Sequence, residues 1–342
     1  MAGSPKRPRG SLAEVAELAG VSIATASRVV NDSPHPVAEA TRARVLAAAE
    51  ELGYSPSALA RALVTRRSRI IGVIVGDIVD PYFAEITRGI EDVCSKAGYM
   101  TIVCNADRST EVEIEQLKLL TDYHAEGVVF AGSGYIEDDR GDELAALVER
   151  ASDQEIKVLS LARRDFEAPS VRIDNRAVAR ELTEYLISLG HRRIAFIKGP
   201  EGLYASADRL GGYEDAMGAA GLEAGPVHEG DFTYDMGHAA AVRLLADAEL
   251  PDAVIGANDE TAIGALAALR QAEIAVPDRV SVAGMTDTRL ARFSDITTVS
   301  IPLYQFGAIA ARRIIAGAGD ADVGGDTLLP HRLVPRSTTA RR

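Results

Sequence analysis

No apolar run in this 342-residue chain approaches the roughly 20 residues that a bilayer-spanning helix needs. Cysteine is scarce, with only Cys94 and Cys104 present. One falls in a predicted helix and one near a strand end, so they read as ordinary buried thiols of a reducing compartment rather than a disulfide framework. No His/Cys/Asp cluster stands at metal-ligand spacing. The first ten residues, MAGSPKRPRG, are polar and basic, and no apolar signal core follows them. These absences lead to an expected cytoplasmic protein with no membrane partner, metal or cofactor.

Enzyme signatures are missing as well. There is no G-x-S-x-G elbow, no Walker loop and no G-x-G-x-x-G opening a helix. Gly132-Ser133-Gly134 follows a strand pattern but reads as a turn, and Asp107, Asp138 and Asp139 read as solvated loop charge. A non-enzymatic role is expected.

Charge is unevenly spread. Residues 1–69 hold ten Lys/Arg against six Asp/Glu, whereas the other 273 hold 27 against 44, giving +4 and −17 within a net −13. A small basic head on a large acidic body suits a chain that meets phosphates at one end. The hydrophobic share of 47% is ample for more than one globular domain.

The chain is organised around Ser11–Asn31, SLAEVAELAGVSIATASRVVN. Ser11 and Glu14 form a capping box pattern, and Leu12, Val15, Ala16 and Leu18 give the first helix a candidate buried face. Gly20 supplies the turn, and Ser22 is a natural N-cap for a second helix over Ile23–Val30 with Ala26, Val29 and Val30 inward. This is the pattern of a helix-turn-helix, whose second helix enters the DNA major groove by its N-terminal residues. A third helix is predicted from Val37 to Leu52, closing the head with Val45, Leu46, Ala49 and Leu52 and stopping at Gly53. Pro56 then breaks the helix, and Ser57 starts a two-turn segment too short to persist alone, followed by the basic linker 65–69.

From Arg69 onward buried strands alternate with amphipathic helices. RIIGVIVG, YMTIVCNA, GVVFAGS and IKVLSLA form one series, and RRIAFIKG, VHEGDF, DAVIGAND and VSVAGM a second. Two such series predict two doubly wound parallel sheets with ligands at the carboxyl ends of their strands. The tail predicts a return helix and a closing strand pair. No heptad-patterned helix follows before Arg342, so a coiled-coil tetramer is not expected.

Taken together, VAELAGVSIATASRVVN, TRARVLAAAEELGYSPSALARAL, IGVIV with DPYFAEI, LGHRRIAFIKGP, ADRLGGY, ANDETAIGAL, VPDRVSVAG and ITTVSIP resemble the lac repressor/galactose repressor (LacI/GalR) family of transcription regulators along nearly the whole chain. The resemblance implies an all-α helix-turn-helix head (1–56), a hinge helix and linker (57–68), and a two-lobed α/β core like that of periplasmic binding proteins (69–342). Lobe one is expected at about 69–165 plus 299–320, and lobe two at about 166–298 plus 321–342. The implied partners are double-stranded operator DNA, a small-molecule effector and a second copy in a homodimer. Two other readings stay open. The effector is a sugar or sugar derivative, or else a nucleobase or small aromatic or acidic metabolite. A solute-binding protein without DNA function is the reading from another class.

For DNA, the resemblance points to Ser22, Ile23, Ala24, Thr25, Ser27, Arg28 and Asn31, with Leu63 as the hinge leucine wedged into the minor groove. Arg28 suits a bidentate pair with guanine, while Ile23 and Ala24 read methyl groups or exclude. For the effector it points to Tyr82, Phe83, Arg163, Arg209, Phe232, Asn258 and Asp287, with Arg164 as an alternative to Arg163 for an anion. Several positions that are usually polar in such pockets are Ala162, Leu203, Ala205, Thr286 and Ile301 here, so the site is expected to be unusually apolar.

Overall fold

The computed structural model describes residues 10–31, 35–54, 68–316 and 325–342. The N-terminal basic stretch, the predicted hinge segment and Leu63 lie outside these residues. The chain divides into two compact units, Met1–Arg69 and Ile70–Arg342.

In the first unit, α1 (Leu12–Leu18) starts at the expected capping box: Glu14 N donates to Ser11 Oγ at 3.3 Å, and Ser11 N to Glu14 Oε2 at 2.6 Å. Gly20 takes φ +63°, which a residue without Cβ adopts cheaply, and turns the chain into α2 (Ile23–Val30). The third helix, α3 (Glu39–Glu51), completes a core of Val15, Ala16, Ala19, Ala26, Val29, Val45, Ala48 and Ala49. Two expected core residues are outside it: Leu18 and Leu46 are 49% and 48% exposed. At about 100° per residue, each stands roughly a quarter turn or more off the face centred on its buried neighbours.

The second unit opens with a four-stranded parallel sheet. Its strands β1 (Ile70–Val75), β2 (Met100–Asn105), β3 (Gly127–Phe130) and β4 (Lys157–Ser160) lie in the order β2-β1-β3-β4. The intervening helices are α4 (Pro81–Lys96), α5 (Thr110–Asp122) and α6 (Gly141–Asp153). β1, β3 and β4 are buried almost throughout, as apolar strands covered by helices on both faces must be.

The chain then crosses through β5 (Val171–Ile173) and α7 (Asn175–Ser188) into a second parallel sheet. This is built from β6 (Ile194–Ile197), β7 (Val227–His228), β8 (Ala253–Gly256) and β9 (Ser281–Ala283), in the order β7-β6-β8-β9. Its helices are α8 (Tyr204–Ala219), α9 (Tyr234–Leu245) and α10 (Asp259–Gln271). A short helix α11 (Arg289–Phe293) and strand β10 (Thr298–Ser300) lead back to α12 (Leu303–Ile315), which packs on α4 in the first lobe.

The predicted closing strand pair does not form. β11 (Thr327–Leu329) runs parallel to β5, whereas β12 (Arg332–Val334) runs antiparallel to β10. Pro330 and His331 separate strands that join different ladders, so the chain crosses between lobes here instead of folding back on itself. A Ser160–Ser170 bridge places the β5–β11 ladder beside β4, whereas pattern alone counts residues 321–342 with the second lobe.

Candidate functional site

On α2, Ser22, Ile23, Ala24 and Arg28 are exposed, and Thr25, Ser27 and Asn31 are half-buried. Ser22 Oγ accepts from Thr25 N at 3.1 Å and lies 2.9 Å from Thr25 Oγ1, so it serves as the N-cap. Asn31 Nδ2 donates to Ser27 O at 2.9 Å, closing the last turn. The apolar tip of Ile23 and Ala24, with Arg28 one turn along, is left facing outward.

In the core, the carboxyl ends of the strands from both lobes meet around a cavity of about 450 Å³. Tyr82, Phe83, Arg163, Arg209, Phe232 and Asn258 all line it. Such an interlobe crevice is where doubly wound sheets hold ligands.

Arg209 is 5% exposed and fixed on two sides. Its Nε donates to Asn175 Oδ1 at 2.8 Å and its Nη1 to Ala257 O at 2.5 Å, and its guanidinium carbon lies 5.5 Å from the Phe232 ring centre. Burial lowers its pKa, opposed by the nearby Tyr82, Asp80, Asp259 and Asp208. Burial likewise pushes the Tyr82 hydroxyl up to about 12 and the Asp208 carboxyl above its ordinary value. Phe232 takes φ +72°, and its ring lies against Gly199, where a Cβ would come within 2.2 Å.

Several candidates are already committed elsewhere. Asn258 caps α10, accepting from Thr261 N at 2.9 Å and donating to Phe232 O at 2.8 Å. Asp287 does not line the cavity; Arg336 Nη2 holds its carboxylate at 2.6 Å. Arg164 is not available to an anion. It forms a buried fork with Glu113, at 2.7 Å on both arms, and also donates to Gly132 O. Ile301 belongs to the lobe-one core rather than to the cavity. Ala162, Leu203, Ala205 and Thr286 do line it.

The lobes are joined over the cavity by a backbone latch. Tyr135 and Leu203 form an antiparallel bridge in which Ile136 N donates to Gly202 O at 2.7 Å and Tyr204 N to Gly134 O at 3.0 Å. Arg163 lies 4.1 Å over the Tyr204 ring, and Tyr204 Oη donates to Asp165 at 2.6 Å.

Beside the cavity, Asp259 is 1% exposed and caged by threonines. Thr286 Oγ1, Thr288 N, Thr288 Oγ1 and Thr298 Oγ1 donate to it at 2.9, 2.8, 3.0 and 2.7 Å. Burial outweighs these bonds and pushes its carboxyl up to about 6. Glu260 rises to about 7, first through burial and then through Asp80 and Asp77 across the cleft.

The family described as periplasmic binding proteins and sugar binding domain of LacI family matches residues 68–336, and bacterial regulatory proteins, lacI family, matches 11–57. The chain belongs to the LacI family.

Catabolite control protein A of Priestia megaterium is 33% identical over 332 residues, covering 95% of this chain and 98% of that protein. Among solved structures, the lac repressor dimer bound to operator and the anti-inducer ONPF matches with TM-score 0.86 at 28% identity, covering 97% of this chain and 100% of that one. The transcriptional regulator CelR in complex with cellobiose matches with TM-score 0.68 at 32% identity, covering 96% and 100%. This LacI-family chain is therefore a transcription regulator with a helix-turn-helix head and a periplasmic-binding-protein-like core, and not an enzyme. Among the described residues, no helix is long and apolar enough to cross a membrane, and no His/Cys/Asp/Glu group could hold a metal ion.

Sequence reasoning missed cavity residues that this LacI-family core brings in from separate elements: Asp80, Tyr135, Asp174, Asn175 and Asp208. A local signal existed for three of them. Asp80 before Pro81 and Asp174 before a helical run read as N-caps, and Asp208 adjoins Arg209 on one helix.

Proposed function

We propose that this protein binds a two-fold symmetric operator as a homodimer, and that a small molecule in the interlobe cavity sets its operator affinity. The observation that carries the reading is Arg209. It is a buried guanidinium held by Asn175 and the Ala257 carbonyl, and among the described residues its Nη2 has no hydrogen-bond partner. A permanent charge with fixed donors at the floor of a cleft suits a ligand that bridges both lobes. In this reading the exposed start of α2, Ile23, Ala24, Thr25, Ser27 and Arg28, meets the major groove, and Leu63 the minor groove at the operator centre. Ser22 and Asn31 support that face as the caps of α2 and contact the DNA backbone.

Ligand binding favours one interlobe angle, and that preference is the free energy available to change operator affinity. The coupling is reciprocal, so operator must change ligand affinity by the same factor. The test selects an operator from random DNA and measures its affinity by fluorescence anisotropy, with and without ligands found by thermal-shift screening. A palindromic site and a ligand-dependent affinity are expected. Arg209→Ala should abolish the ligand response while leaving ligand-free operator affinity within about threefold, roughly 0.7 kcal/mol. An Arg209→Ala protein that answers the ligand normally would sink the cavity assignment.

A further inference from the structure

Every α-helix leaves its first backbone amides without partners inside the helix, and another group must accept from them. In lobe two, α7, α9 and α10 use their own side chains for this. Asp174 accepts from Ala177 N at 2.8 Å, Thr233 from Met236 N at 3.3 Å, and Asn258 from Thr261 N at 2.9 Å. The start of α8 is different. Its N-cap residue is Leu203, whose side chain cannot accept and makes no capping bond. The acceptors for α8 come from lobe one instead: Tyr204 N donates to Gly134 O at 3.0 Å, and Ala205 N to Ser133 Oγ at 3.2 Å.

The exchange runs both ways. Ile136 N of lobe one donates to Gly202 O at 2.7 Å, just ahead of α8, and Leu203 is buried between these bonds. Tyr204 adds a side-chain bond to Asp165, beyond β4, and carries Arg163 on its ring. Residues 133–136 follow β3 and residues 202–205 follow β6, so all these contacts exist only while the carboxyl ends of the two sheets stay together. Parting the lobes breaks three bonds from backbone amides at once, and Leu203 offers the α8 amides no replacement. The same helix carries Arg209, four residues beyond Ala205 and on the same face. Arg209 is anchored within lobe two by Asn175 and the Ala257 carbonyl, so parting the lobes also draws it away from Asp80 and Tyr82 of lobe one.

We propose that lobe one caps α8 in trans and that this latch holds the lobes closed by itself, so that the chain needs no ligand to close. The consequence for regulation, which rests on the reading of the cavity as the effector site, is a direction. A ligand that only favours closure has little left to shift in a chain already closed. A ligand that changes operator affinity must therefore act by breaking the latch.

The test is hydrogen exchange, resolved to single amides by mass spectrometry, on full-length protein dialysed free of small molecules. The amides of Ile136, Tyr204 and Ala205 should each exchange at least about tenfold slower than in an unstructured chain. Their protection should also be similar, because one opening exposes all three. Fraying of α8 alone would release Tyr204 and Ala205 and leave Ile136 protected. Ser133→Ala combined with Tyr204→Phe removes two side-chain bonds and keeps the ring under Arg163. It should speed all three amides at least about fivefold while Ile255, buried in β8, keeps its rate. Leu203→Ser gives α8 a cap of its own, so it should speed Ile136 more than Ala205, and it provides a second variant. Unprotected Tyr204 and Ala205 in the wild type, protection there without protection of Ile136, or unchanged rates in both variants would overturn the inference. Operator affinity measured on the same variants separates the two claims. Faster exchange with unchanged operator affinity leaves the latch standing and overturns the regulatory reading. Unprotected latch amides in a wild-type protein whose operator affinity answers a ligand from the thermal-shift screen do the reverse.

Discussion

Arg164 and Glu113 form a two-armed ion pair, Nη1 to Oε2 and Nη2 to Oε1, both at 2.7 Å, with side chains 4% and 7% exposed. Removing one partner leaves a charge buried and uncompensated, which typically costs about 3–5 kcal/mol. Arg164→Met is expected to lose stability on that scale in urea unfolding. The double variant Arg164→Met/Glu113→Leu should be more stable than Arg164→Met alone, since it buries no charge.

The second prediction concerns pH. Asp259 has a folded pKa of about 6 against an unfolded value near 3.9, so the folded protein holds that proton more tightly. Its stability contribution is fully present below about pH 4 and is lost as pH rises through 6. Glu260, raised to about 7, acts in the same direction over a higher window. Asp259→Asn keeps an acceptor for Thr288 N and cannot ionise, and Thr298 Oγ1 can turn to accept its amide. The variant should flatten the stability profile between pH 4 and 6 and gain on wild type at pH 7. An unchanged difference between the two proteins across that range would refute the assignment.

Two glycines should respond oppositely to alanine. At Gly307 on α12 a Cβ would stand 1.9 Å from the Ile86 carbonyl of α4, and Gly89 makes the reciprocal approach to Tyr304 O at 2.1 Å. Gly307→Ala must push the two helices apart and is expected to cost about 1–3 kcal/mol, or more if the backbone cannot yield. Gly218, near the end of α8, has nothing within 4 Å of that position. Gly218→Ala should stabilise by up to about 1 kcal/mol through helix propensity. Denaturant midpoints of the two variants on either side of wild type would bear this out.

On the DNA side, Arg28→Ala is expected to weaken specific operator binding by about 1–3 kcal/mol and to relax one base position in each half-site. Anisotropy titrations against single-base operator variants measure both effects. Uniform weakening on all sequences, with a shallower salt dependence, would instead mark Arg28 as a phosphate contact.

Much of this molecule is local enough to be read from its sequence. The bounds of α2 follow from Ser22 as a cap and from apolar spacing, and the capping box at Ser11 and Glu14 needs only four consecutive residues. The long buried strands and their covering helices carry periodicity that survives any tertiary arrangement. Short elements such as β5 and α11 carry too few residues for a pattern, and they exist because a neighbouring segment satisfies their backbone. The partner of β11 was equally illegible, since Thr327 reaches a strand more than 150 residues away. Which polar residues remain open to a ligand is also a tertiary matter. Asp287 loses its carboxylate to Arg336, Arg164 is taken by Glu113, and Asn258 is spent on a helix cap; Asp174 also caps a helix, but with one oxygen only, Asn175 gives its carbonyl to Arg209, and the Asp208 carboxylate stays open. A side chain's chemistry is written in the sequence, but its vacancy depends on which distant groups folding brings within 3 Å.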